Sequence, residues 1–201
     1  MKTFTKELQD KTSPEAAIDL LKEGNKRFVD KDNTQRDLLS QVGKTSAGQF
    51  PFAALLSCID SRVPAELVFD QGIGDIFNVR VAGNIVNEDV LGSLEYSCKV
   101  AGSKVLVVMG HTKCGAVTAA CKHVELGNIT HLLSKIQPAV EVAGNGEVDD
   151  AAIERVALKN IELSIERIRK ESPILAEMEQ NGEIKIVGAV YDVASGVVCF
   201  F

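Results

Sequence analysis

Residues 104–115 read KVLVVMGHTKCG, and residues 51–62 read PFAALLSCIDSR. Each is a short apolar run that breaks at once into residues with chemistry. The first breaks into His111-Thr112-Lys113-Cys114, the second into Cys58-Ile59-Asp60-Ser61-Arg62. A run apolar at every position, bounded by Gly or polar residues, is the pattern of a strand buried on both faces.

Working outward, strand-like and helix-like patterns alternate. Ser13-Pro14-Glu15 starts a helix, with Ser as cap and Pro at the first helical position. Ala17, Leu20, Leu21 and Phe28 form its apolar stripe over residues 14–28. Residues 30–48 are polar and carry no clear periodicity. Pro51 to Ile59 reads as the first strand, 64–70 as a short helix, and Asp75 to Val81 as the second strand, closed by Ala82-Gly83-Asn84. Asn87-Glu88-Asp89 caps a helix whose inner face is Leu91, Leu94, Cys98 and Ala101. Lys104 to Gly110 is the third strand, with a helix expected after Cys114. Residues 143–150 read as a loop. A long amphipathic helix follows through Ile153, Val156, Ala157, Ile161, Ile165 and Ile168. Ser172-Pro173 starts another, ended by Asn181-Gly182. Ile184 to Tyr191 is the fourth strand, and Val197 to Phe201 a short fifth after a turn at Ser195-Gly196. The expected fold is α/β, with a mostly parallel four- to five-stranded sheet flanked by helices.

The chain has 201 residues, 45% hydrophobic and 25% charged, which suits one domain rather than two. We divide it into an N-terminal helical arm, 1–48, and an α/β core, 49–201. The net charge of −6 comes without clustered Lys and Arg, so neither nucleic acid nor an anionic membrane is an expected partner. The opening MKTFTKELQDK lacks the apolar core of a signal peptide, and no apolar run is long enough to span a bilayer. With five cysteines, a reducing cytoplasmic setting is expected, where cysteines point to metal or catalysis before disulfides.

In parallel sheets ligands gather beyond the carboxyl ends of the strands, where both clusters fall. If the two strands are neighbours, they bring together two thiols, an imidazole and a carboxylate. Taken alone, each element has a bland reading: a Cys ending an apolar strand is packing, and Asp60 near Arg62 is a surface pair. Their shared placement raises a metal site to equal standing with the bland reading. Two Cys and one His leave a fourth position of tetrahedral zinc open to water, the catalytic arrangement.

Cys58-x-Asp60-Ser61-Arg62 followed by Gly110-His111-x-x-Cys114-Gly115 resembles the paired signature of the β-class carbonic anhydrases. The likeness runs from about Phe50 to Ala120, including FDQGIGDIFNVRVAGN and LGSLEY, and extends to Glu23-Gly24-Asn25, Arg27-Phe28 and Tyr191-Asp192. Ile59 departs from the Ser common at that position; its side chain is expected to point away from the metal. The resemblance implies reversible hydration of carbon dioxide to bicarbonate by attack of zinc-bound hydroxide. It implies one zinc per chain on Cys58, His111 and Cys114, and a catalytic dyad of Asp60 and Arg62. It further implies a narrow substrate slot using Phe77, Ala82 and Tyr96, with hydrogen-bond donors at Gln49 and the backbone of Gly115. A homodimer or dimer of dimers is implied, the N-terminal helix packing on the partner subunit. A carbon disulfide hydrolase on the same scaffold and a non-catalytic zinc-stabilised module are the rivals. Cys98, Cys121 and Cys199 read as packing thiols, His123 and His131 as surface residues. In some family members bicarbonate binds beside the site and holds it closed. Arg80 and Tyr191 match that pocket here, but Leu55 stands where its Trp would be. The expected site is therefore open, with Asp60 paired to Arg62.

Overall fold

In the computed structural model, which describes residues 3–144, 146 and 148–201, the elements follow the alternation read from the sequence. Helices α1 (Lys6–Lys11), α2 (Pro14–Val29) and α3 (Leu38–Thr45) precede β1 (Ala53–Ser57), α4 (Ala65–Val68) and β2 (Ile76–Arg80). A 3-10 turn, Ala82–Asn84, leads to α5 (Glu88–Glu95), which widens into a π-helical segment, Tyr96–Val100. Then come β3 (Val105–His111), α6 (Gly115–Cys121), α7 (Gly127–Leu133), α8 (Gln137–Ala143), α9 (Asp150–Glu171), α10 (Pro173–Gln180), β4 (Lys185–Tyr191) and β5 (Val198–Phe200). Of the loop expected at 143–150, residues 145 and 147 lie outside the described residues.

The sheet order is β2-β1-β3-β4-β5, parallel except for β5. Alternate residues of the central strands feed two cores. Ala54 and Leu56 of β1, with Leu106 and Val108 of β3, pack under α5, α9 and α10. Ala53 and Leu55, with Val105, Val107 and Met109, pack toward α2. Both faces are covered, which is why β1 and β3 are apolar at nearly every position and wholly buried. A third cluster, holding Cys58, Cys114, Ile85, Val117 and Ile136, lies beyond the carboxyl ends of the strands.

Part of the apolar stripe of α2 is met within the chain: Ala17 and Leu21 are fully buried in one cluster with Phe52, Ala53 and Phe69. Gly24 makes the contact possible, since a Cβ there would stand 1.9 Å from the Phe69 carbonyl oxygen. The polar stretch 30–48 contains α3, capped by the Asp37 side chain on the Ser40 amide at 3.0 Å. That helix leaves Leu38, Leu39 and Val42 exposed, so it has too little inward stripe to announce itself by periodicity.

Candidate metal centre

β1 and β3 are adjacent and parallel, with Ser57 opposite Met109. This register carries Cys58 and His111, which follow those positions, to the same edge. Lys113, in the left-handed region at φ 54, turns the chain so that Cys114 caps α6 beside them. One potential ligand atom from each of Cys58, His111 and Cys114 lies within 4.8 Å of the other two, and all three residues are buried.

His111 Nδ1 faces the Thr112 carbonyl at 2.9 Å, which makes it the protonated nitrogen and leaves Nε2 as a lone pair. That carbonyl is fixed in turn: the Thr112 amide donates to the Tyr191 carbonyl, and its hydroxyl donates to Asp192 at 3.1 Å while accepting from the Val193 amide. His111 Nε2 is buried without a hydrogen-bond partner, an uncompensated cost in an apolar setting unless something accepts its lone pair. The sulfurs share their protons unequally. Cys58 is lowered to about 4, chiefly by a hydrogen bond from the Cys114 thiol, helped by the Gly83 amide. Cys114 is pushed up by its Cys58 neighbour and by burial. A buried thiolate, a second thiol and an unpartnered imidazole nitrogen fit a divalent metal of borderline softness.

The Asp60 carboxylate receives Arg62 Nε at 2.9 Å on one oxygen and Nη2 at 2.8 Å on the other, with the Arg62 amide adding a third bond at 2.9 Å. Arg62 hydrogen bonds lower Asp60 to about 2, so it is ionised at neutral pH. Nη2 also reaches the Lys113 carbonyl at 3.2 Å, joining the two clusters. The forked pair leaves Asp60 Oδ2 3.9 Å from His111 Nε2. Ile59 is 58% exposed and points away from the ligands.

The remaining predicted site residues are dispersed. Ala82 begins the turn whose Gly83 amide meets Cys58 Sγ at 3.3 Å. Gly115 begins α6 directly after Cys114, with open space where a Cβ would be. Phe77 and Tyr96 touch edge-to-face at 6.2 Å. However, Phe77 sits opposite Ala54, four residues before Cys58, or about 13 Å along the strand. Gln49 is exposed on the segment entering the amino end of β1. The chain thus joins Cys58, His111, Cys114, Asp60 and Arg62 and leaves Phe77, Tyr96 and Gln49 apart from them.

Sequence reading missed the clamp made by Arg80. It donates to the Cys58 carbonyl at 3.1 Å and to the Asp60 carbonyl at 2.7 Å, holding the loop that bears both. No sequence signal marks these bonds, which depend on β2 lying beside β1. Leu55, at the expected Trp position, is fully buried. Cys98 and Cys121 are buried thiols as expected, but Cys199 is exposed. It points outward from β5 while Val198 and Phe200 turn toward the α2-side core. His123 and His131 are exposed. Among the described residues no helix is long and apolar enough to cross a membrane.

The family model described as carbonic anhydrase matches residues 53–198. Carbonic anhydrase 2 of Mycobacterium tuberculosis is 33% identical over 191 residues, 92% of this chain and 91% of that protein. A carbonic anhydrase of Mycolicibacterium smegmatis is 34% identical over 197 residues, 93% of both chains. Among solved structures, the β-carbonic anhydrase CafA of Aspergillus fumigatus superposes with a TM-score of 0.74 at 25% identity, covering 93% of this chain and 89% of its own. The matched span holds both halves of the Cys-His-Cys centre and the Asp60–Arg62 pair, and by these matches the chain belongs to the β-carbonic anhydrase family.

Proposed function

We propose that this protein hydrates carbon dioxide reversibly to bicarbonate, using one zinc ion per chain held by Cys58, His111 and Cys114. The observation that carries the reading is the buried, unpartnered Nε2 of His111 facing two sulfurs beside a formed Asp60–Arg62 pair. Zinc bound there supplies Lewis acidity that makes its water a hydroxide source near neutral pH, carbonic anhydrase being the type case of that effect. Asp60 stays ionised and is held by Arg62, so it would accept a hydrogen bond from the attacking oxygen and turn that oxygen's lone pair toward carbon. Arg80 keeps the backbone of Cys58 and Asp60 in register while this happens. The apolar cluster of Ile85, Val117 and Ile136 around the sulfurs suits a small, weakly polar substrate. The formed dyad also speaks against a purely structural zinc module.

The site is completed by a second copy of the chain. Phe77, Tyr96 and Gln49 lie away from their own metal centre, and Tyr96 is 52% exposed. In a dimer they supply the slot and the amide donor to the partner's centre, while Ala82 and the Gly115 amide serve their own. A reducing compartment such as the cytoplasm belongs to the same reading, since all five cysteines are free.

Zinc content measured with direct carbon dioxide hydration tests the function. About one equivalent per chain and catalysed hydration are expected; full activity with less than about a third of an equivalent overturns the zinc assignment. Light scattering at micromolar concentration tests the assembly, and a fully active species of 21.6 kDa contradicts it.

A further inference from the structure

Helix α9 is lined by Ile153, Val156, Ile161, Ile165 and Ile168, yet two polar side chains are buried along it. Asn160 is 3% exposed and Ser164 6%. Burying an amide and a hydroxyl in such a face is costly unless both are hydrogen-bonded. Asn160 Nδ2 donates to the Gly83 carbonyl at 2.8 Å. One helical turn later Ser164 Oγ reaches the Asn84 carbonyl at 3.4 Å. The two side chains thus pin consecutive peptide carbonyls of one turn.

That turn is an unusual one. Gly83 and Asn84 both occupy the left-handed region, at φ 67 and 43. Gly83 has no room for a side chain: a Cβ would lie 2.6 Å from Ile136 Cδ1. The Gly83 amide points at Cys58 Sγ, 3.3 Å away. A chain of contacts therefore runs from the α9 amide through the Gly83 turn to a sulfur of the metal centre.

We propose that Asn160 is a positioning residue for the metal centre: by holding the Gly83 carbonyl it aims the Gly83 amide at the Cys58 sulfur. The N–H···S bond draws charge from the thiolate, so Asn160 sets how tightly the metal is held and how much charge the sulfur gives it. Outer partners of metal ligands act in this way in general, and losing one typically lowers metal affinity about 10–100-fold. The inference rests on the reading of Cys58, His111 and Cys114 as metal ligands.

The test compares wild type, Asn160→Leu and Ser164→Ala, each loaded with zinc or with cobalt(II). Zinc affinity is read by competition with a chromophoric chelator, and the sulfur by its charge-transfer absorption to cobalt. Asn160→Leu should lose about ten-fold or more in affinity and move the band to longer wavelength. Ser164→Ala, whose bond does not lead to the sulfur, should lower thermal stability and leave both readings unchanged. An Asn160→Leu protein with wild-type affinity and band position overturns the proposal, leaving Asn160 a stabilising contact only. The wild type alone supplies a second reading. With cadmium-113 in the site, the Gly83 amide proton should show scalar coupling to the metal through sulfur; its absence overturns the proposal even if the variant fails to fold. Failure of the wild type to bind any of these metals would instead remove the metal reading itself, and this inference with it.

Discussion

Replacing Asp70 by Asn should cost about 3 kcal/mol of stability. Asp70 follows α4 with φ 46 and its side chain is 2% exposed. It accepts hydrogen bonds from Arg27 Nε at 2.6 Å, from Thr34 Oγ at 2.8 Å and from the Thr34 amide at 3.2 Å, and it also pairs with Arg36. Burial pushes its carboxyl up, but the bonds from Arg36, Arg27 and Thr34 outweigh that and hold it well below the usual range. Asn tolerates the left-handed conformation, so the substitution isolates the charge. Removing one charge of a buried pair costs about 3–5 kcal/mol. Arg27 is 26% exposed and recovers part of its hydration, whereas Arg36 is only 8% exposed, so the lower end applies. At about 2–4 °C per kcal/mol for a domain of this size, the melting temperature should fall about 6–12 °C at pH 7. The pH dependence follows from the depressed carboxyl. Its contribution is present above the unfolded value near 3.9 and is lost as pH falls below it. Calorimetry should therefore show a constant gap between the two proteins from about pH 5 to 8, narrowing toward pH 3. A gap under about 2 °C at neutral pH, or one undiminished at pH 3, refutes the reasoning.

Other changes probe the centre and the frame. His111→Ala should lower zinc content and hydration together, by more than the roughly 10–100-fold typical of an outer partner; metal analysis showing full occupancy removes His111 from the ligand set. Asp60→Asn should keep zinc but slow turnover about 10²-fold or more, the scale of a lost proton-accepting group, and wild-type rates at every pH would exclude Asp60 from the mechanism. Since Asp60 is lowered to about 2, its own protonation should produce no loss of activity between pH 5 and 8. Gly24→Ala should lower the melting temperature despite the better helix propensity of Ala, because α2 must retreat from the Phe69 carbonyl; a raised melting temperature contradicts that packing.

The parallel sheet and the chemistry-bearing residues at its strand ends were legible in the sequence because both are local patterns. A strand buried on both faces must be apolar at nearly every position, and ligands at its carboxyl end follow it directly in the chain. Short helices such as α3 and α7 escaped, since few of their side chains face inward and periodicity has little to register. The surface that covers the α2 stripe was not legible for a related reason: amphipathicity says that a face must be buried, not against what. Only the tertiary structure decided which surface met it, through the close approach at Gly24. The same holds around the candidate metal centre. Cys58, His111 and Cys114 were marked by their places at two strand ends and by the family resemblance, whereas Arg80, Thr112, Gly83 and Asn160 act through backbone groups brought near by strand register and helix packing. The sequence by itself determined the order of the strands and the chemistry at their ends. The hydrogen bonds that orient that chemistry depended on contacts such as Asn160 with Gly83, 77 residues apart, which no local pattern encodes.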